Sequence, residues 1–177
     1  MNSIFYQELE KSTAHRKCRD DLKDLALQHP HFLEELFSIA FDTKNPIHYK
    51  ACWVLELVLM KNLTLLIPYF KTFLDTLPYY QHHGALRSIS KIVMLLAQSK
   101  IISLNEKQKD ILIEMAFQWL SLSPKVATKA YCAYALKEFG KQKPAILPLL
   151  YEILEQDYSK FTAAYKAAAR SIIKNVK

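Results

Sequence analysis

Glycine is nearly missing from this chain: Gly84 and Gly140 are the two in 177 residues. Their scarcity excludes a Gly-rich phosphate cradle. It also excludes a fold of many tight hairpins, because glycine is the usual residue where backbone φ must be positive. Seven prolines are likewise too few for a loop-rich β fold. Cysteine is sparse and odd in number. Cys18, Cys52 and Cys132 stand far apart with no CxxC, which excludes a disulfide framework and fits thiols kept reduced. No stretch reaches ~18 uncharged apolar residues, the length a membrane span needs. The start, "MNSIFYQELEK", has no basic segment leading into an apolar run, so no signal peptide is expected. These absences lead to the expectation of a cytoplasmic protein without a membrane segment.

What the chain does have is helix-forming, apolar sequence. Hydrophobic residues make up 51%, which rules out disorder. Leu, Ala, Lys, Glu and Gln dominate long stretches and favour helix, and the expectation is all-α. In "HPHFLEELFSIAFD", Phe32, Leu33, Leu36, Phe37 and Ala40 share one face, and Pro30 suits a first helical turn. "NPIHYKACWVLELVLMKN", "LTLLIPYFKTFLDTL", "HHGALRSISKIVMLLAQ", "NEKQKDILIEMAFQWLSL", "KVATKAYCAYALKEFG", "KPAILPLLYEILEQD" and "SKFTAAYKAAARSIIKNV" follow, each ~12–18 residues with short polar or Pro-bearing breaks. Two further helices fit residues 3–28, for about ten in all.

The segments pair. "LLIPYFKTFLDTL" and "AILPLLYEILEQD" align on Pro68 and Pro148, each with an acid near its end, Asp75 and Glu155. Among the second members, "YKACWVLEL", "TKAYCAYAL" and "YKAAARSII" each place a lysine (Lys50, Lys129, Lys166) three residues before a small or apolar one, Trp53, Cys132 or Ala169. A period of ~32–47 residues built from two helices predicts an α-solenoid. The stretch 125–140 supports this. Thr128, Cys132, Ala135, Leu136 and Phe139 fall on one stripe, and Ala127, Tyr131 and Tyr134 on its neighbour. A helix apolar over most of its girth is packed on several sides. Gly140 is placed to end it in a left-handed conformation.

The order "LPLLYEILEQD…YKAAARSI" resembles a HEAT repeat: an apolar first helix, an acidic turn, then a basic residue followed by small ones. The resemblance covers roughly residues 30–177. It implies about five helix pairs in a single domain: a degenerate capping repeat at 1–28, then repeats at 29–62, 63–99, 105–141 and 143–177. It also implies acid–base turn pairs at Asp42/Lys50 and Asp157/Lys166; the third unit, "SLSPKVATK", lacks the acid. The chain is similar in length to short bacterial HEAT-like proteins, some of them labelled adenylosuccinate lyase. That activity implies a mobile loop with a catalytic serine among Gly, Met, Pro and Lys. "SLSPK" (Ser121, Ser123) is the nearest stretch, and it falls at a short inter-helix turn.

Chemistry is thin. "HPH" (His29, His31) and "HH" (His82, His83) lack the i, i+4 spacing that turns two imidazoles to one side, so no metal site is expected. Cys52 and Cys132 sit in apolar helices and read as core. Cys18 lies in basic "HRKCRDD", the one setting that suits a reactive thiol. The pairs Asp20/Asp21 and Glu34/Glu35 point apart on a helix and read as solvated. Glu56, three residues after Trp53 on an apolar helix, is expected partly buried in a salt bridge with a lysine. There is no GxSxG.

Net charge is +7, from 24 basic and 17 acidic residues, which favours an anionic partner. The second helices carry Lys50, Trp53, Glu56, Arg87, Lys91, Lys129, Lys166 and Arg170; the lysines read either as the repeat's own structural cations, with the tyrosines as core, or together with the rest as candidate contact residues on the concave face a solenoid would offer. The leading expectation is a non-catalytic protein-binding or scaffold module, without cofactor or metal, whose partner presents an acidic protein surface. The alternative is a nucleic-acid-binding groove with Tyr131, Tyr134 and Tyr165 as platforms. Some HEAT-like proteins are DNA glycosylases for alkylated bases, which use such a groove and an aspartate; here Glu56 stands in that region. The apolar start "SIFYQEL" reads either as a cap on the first repeat or as a dimer contact.

Overall fold

The helices begin where local chemistry places their caps. The Ser3 hydroxyl accepts from the Tyr6 N–H (2.9 Å) and opens α1, Ile4–Lys11. Pro30 stands in the first turn of α3, Pro30–Phe41, after α2, Arg16–Gln28. Asn105 and Gln108 exchange side-chain-to-backbone hydrogen bonds, both 2.9 Å, at the start of α7, Glu106–Leu122, which satisfies donors a helix start leaves open. The remaining α-helices are α4 (His48–Lys61), α5 (Phe70–Thr76), α6 (His83–Gln98), α8 (Val126–Gly140), α9 (Leu147–Tyr158) and α10 (Ala163–Ile173). The structure is a computed structural model that describes residues 3–158 and 163–173. Among these residues every regular element is helical, as the composition predicted.

The chain packs as two compact units, residues 1–89 and 90–177, with the boundary inside α6. In the first, α4 is the hub: α1, α2 and α3 all pack on it. Eight of its residues are buried, Ala51, Cys52 and Val54 through Leu59, so it is apolar nearly all round. At ~1.5–3 kcal/mol for each large side chain taken out of water, this one helix supplies much of the unit's core. The start "SIFYQEL" caps that core: Phe5 and Leu9 are fully buried, and Phe5 stacks on Phe32 at 5.2 Å. In the second unit α8 has the same place, packed by α7, α9 and α10.

Two expectations need correction. "LTLLIPYFKTFLDTL" is not one helix. Residues Leu63–Tyr69 form a 3-10 stretch containing Pro68, then come α5 and a second 3-10 turn, Leu77–Tyr79, with Pro78. Each proline lacks the N–H that an α-helix interior requires. Gly140 is not a left-handed cap. No described residue has positive φ, and Gly140 closes α8 with the chain running on in right-handed geometry through Lys141. Its reason is contact: a Cβ there would lie 2.2 Å from Leu147 Cδ2 and 2.8 Å from Cγ.

Gly140→Ala should therefore lower stability. Overpacking costs about 1–3 kcal/mol, offset by about 1 kcal/mol of helix propensity. In a Leu147→Ala background the same change should become neutral or stabilising. Urea unfolding of the four proteins reads the difference, and equal effects in both backgrounds would refute the contact.

Candidate binding face

In the first unit, α4 carries Tyr49, Trp53 and Glu56 at i, i+4 and i+7, one side of a helix. Tyr49 stacks on the His82 ring at 4.0 Å and 22°. Trp53 meets Tyr49 edge-on at 5.1 Å. Gly84, in the first turn of α6, lets that helix approach the indole: a Cβ there would stand 3.0 Å from Trp53 Nε1. One turn on, Glu56 is 1% exposed. It accepts from Ser88 Oγ at 2.6 Å and from an Arg87 guanidinium N–H at 3.0 Å. An arginine and a serine are thus among its partners. Both are needed, because a buried carboxylate has several lone pairs to satisfy. Arg87 runs from this buried anion to the surface, its side chain 37% exposed.

Lys50 turns elsewhere. Its amine donates to the Ser12 carbonyl (2.8 Å) and to the Glu10 carbonyl, at the end of α1. Those carbonyls have no partner within their own helix, and a cation there also complements the helix dipole. The expected partner, Asp42, instead accepts from the Lys44 backbone N–H at 3.1 Å. The Asp157 side chain and the tail lysines Lys174 and Lys177 lie outside the described residues.

Two histidines border the aromatic group. His48 donates through Nδ1–H to the Asn45 carbonyl (2.8 Å). His82 Nδ1 accepts from the Gly84 N–H (3.1 Å). The two rings lie 6.0 Å apart. Among the described residues no three His, Cys, Asp or Glu side chains gather as a metal cluster. Burial first, then the charges of His48 and His83, hold His82 below its ordinary value of 6.5. The folded chain therefore takes up that proton less readily than the unfolded one. Stability is full above pH ~6.5 and declines as pH falls from there through the lowered value. His82→Gln should flatten this part of a melting-temperature profile against pH, and an unchanged profile would show that His82 has no such role.

In the second unit Lys129 is 3% exposed. Its amine donates to the carbonyls of Leu120 and Ser121, the last turn of α7. Lys137 does the same for α10, donating to the Ser171 carbonyl at 3.1 Å. Lys91 stands 5.7 Å over the Tyr131 ring. Lys166 is half-buried and Arg170 exposed, one turn apart on α10. In "SLSPK", Ser123 caps α7 and its hydroxyl oxygen accepts from the Lys125 N–H at 3.2 Å.

Burial pushes the Cys52 thiol well above its ordinary value and the Cys132 thiol up to about 12; both are core, as expected. Cys18 is a free thiol of intermediate exposure.

Of the eight candidate contacts, Trp53, Glu56 and Arg87 come together in the first unit. Lys50 and Lys129 reach carbonyls instead. Sequence reasoning missed Tyr49, four residues before Trp53, and His48; the i, i+4 aromatic spacing was the available signal for Tyr49.

A chain of stacked helix pairs, with the most apolar helix of each unit at its centre, defines an α-solenoid repeat protein. The HEAT repeat domain family matches it over residues 5–176, so the chain belongs to that family. No curated protein and no solved structure matches it. No single helix among the described residues is long and apolar enough to cross a membrane.

Proposed function

We propose that this HEAT repeat module is a non-catalytic scaffold of the cytoplasm that binds a protein partner with an acidic surface. Its contact site in the first unit is the side of α4 and α6 carrying Tyr49, Trp53 and Arg87. The observation that carries the reading is the conjunction of those three side chains. Tyr, Trp and Arg are the residue types that dominate binding energy at protein interfaces. Here Arg87 is also held in place by buried Glu56, which lowers the ordering cost of binding. In the second unit, Lys91, Lys166 and Arg170 are the corresponding contact residues. Lys50 and Lys129 act within the fold.

The test is a photo-reactive phenylalanine analogue at Tyr49, with a second protein labelled at exposed Leu122 as control, irradiated in the source cells. The proposal expects a discrete protein adduct from position 49 that is absent from position 122. Identical adducts from both positions, or none, would overturn it.

Lys91 over the Tyr131 ring favours a second reading, nucleic-acid binding. That reading expects oligonucleotide affinity that falls steeply between about 50 and 200 mM salt and weakens in Arg170→Glu.

A further inference from the structure

A cleft of about 400 Å³ opens on the first unit between α3 and the Leu63–α5 segment. Its floor is aromatic. Phe37, fully buried, stacks on half-buried Tyr69 at 4.1 Å and 13°, and Phe41 lies beside Phe37 at 5.7 Å. Its rim is acidic and polar: Glu34, Ser38 and Asp42 follow one another at four-residue intervals along α3 and its C-cap, facing Thr72. All four rim residues are exposed. Among the described residues no lysine, arginine or histidine lines the cleft, although the chain as a whole carries net charge +7. Among the described residues Glu34 has no cationic partner, and Asp42 receives one backbone N–H. The Glu34 charge acts on the cleft interior, where burial first and that carboxylate second raise the Tyr69 phenol above its ordinary value.

We infer that this cleft is the docking site for an arginine side chain presented by an extended, apolar-flanked segment of a protein partner. The chemistry selects that occupant. An anion would meet two carboxylates. An apolar helix laid over the cleft would strip water from Glu34 and Asp42 and leave them unpaired, which costs several kcal/mol. A guanidinium answers both features at once: its flat face stacks on the open side of Tyr69, and its fork of N–H donors engages one rim carboxylate through two parallel hydrogen bonds while the other lies within range of its charge. The volume lies within the range of small-ligand pockets and leaves room for a neighbouring apolar residue. The cleft is built by the first helix of its pair and does not depend on the α4–α6 side proposed above, so either can fail without the other.

The experiment is a titration of the ¹⁵N-labelled full chain with acetyl-Leu-Arg-Leu-amide, followed through its amide resonances. The neutral citrulline peptide of the same shape is titrated in parallel. Saturable shifts are expected at Glu34, Ser38, Asp42 and Thr72 with the arginine peptide, weaker by about tenfold or more with citrulline. A Glu34→Gln/Asp42→Asn variant should lose the arginine preference while keeping its melting temperature, since both side chains are exposed and asparagine can still accept from Lys44. Equal binding of the two peptides would overturn the inference, as would an unaltered preference in the variant or no shift at these amides up to the solubility limit. Concentration-dependent shifts at the same amides without peptide would assign the cleft to a second copy of the chain and overturn it equally.

Discussion

Lys129→Glu is expected to destabilise the protein by about 3–5 kcal/mol, the range measured when a buried charge loses its partner. Lys129 is 3% exposed, and its amine is held by the last carbonyls of α7. Glutamate would place an anion against those carbonyl oxygens and against the negative end of the helix dipole. Lys129→Met keeps the aliphatic stem and removes only the charge and its hydrogen bonds, so a smaller loss of about 1.5–3 kcal/mol follows. The control is Lys71→Glu. That side chain is 89% exposed and pairs with Asp75 at the surface, where such pairs contribute about 0–1 kcal/mol. Urea unfolding monitored by circular dichroism gives all three values. If Lys129→Glu and Lys71→Glu cost the same, the buried lysine is not a fastener. The result also bears on nucleic-acid binding: a lysine whose charge reversal unfolds the chain is no probe of phosphate contact, and Arg170 is the better one.

The second large effect lies at Glu56. Glu56→Ala should cost about 3–5 kcal/mol, because it removes a charged partner of the Arg87 guanidinium and the acceptor of the buried Ser88 hydroxyl. Glu56→Gln keeps one acceptor oxygen and should cost less. The informative variant is the pair Glu56→Leu with Arg87→Met. Replacing both partners by apolar residues of similar volume should recover part of the loss, the remainder being the buried Ser88 hydroxyl left without its acceptor. A double variant as unstable as Glu56→Ala would mean that the loss arises from packing rather than from unpaired charge.

The helices were legible because their signals are local. Pro30, the Asn105–Gln108 pair and the all-round apolarity of α8 each act within a turn or two. The break at residues 63–79 was legible in principle too, since Pro68 and Pro78 carry it, but the apolar spacing of "LLIPYFKTFL" masked it. Gly140 shows a different limit. A glycine at a helix end serves either a positive φ or a close neighbour, and only the position of Leu147 decides between them. The destinations of the charged residues were the least legible. Repeat logic pairs Lys50 with Asp42 nearby, whereas the fold gives it the end of α1, 40 residues back. Glu56 finds its partner 31 residues on. The acidic cleft escaped notice because its aromatic floor comes from two elements that no sequence period relates.

The central claim is that Lys50 and Lys129 fasten the helices from within, leaving other side chains of the second helices for partners. Lysine-selective acylation of the native protein, read residue by residue by mass spectrometry, tests it most directly. Lys129 is expected to stay unmodified, and Lys50 to react slowly, under conditions that label Lys71 fully, and both are expected to react at the Lys71 rate once the chain is unfolded in urea. Native labelling of Lys129 at the Lys71 rate, with the helical signal intact, would contradict it.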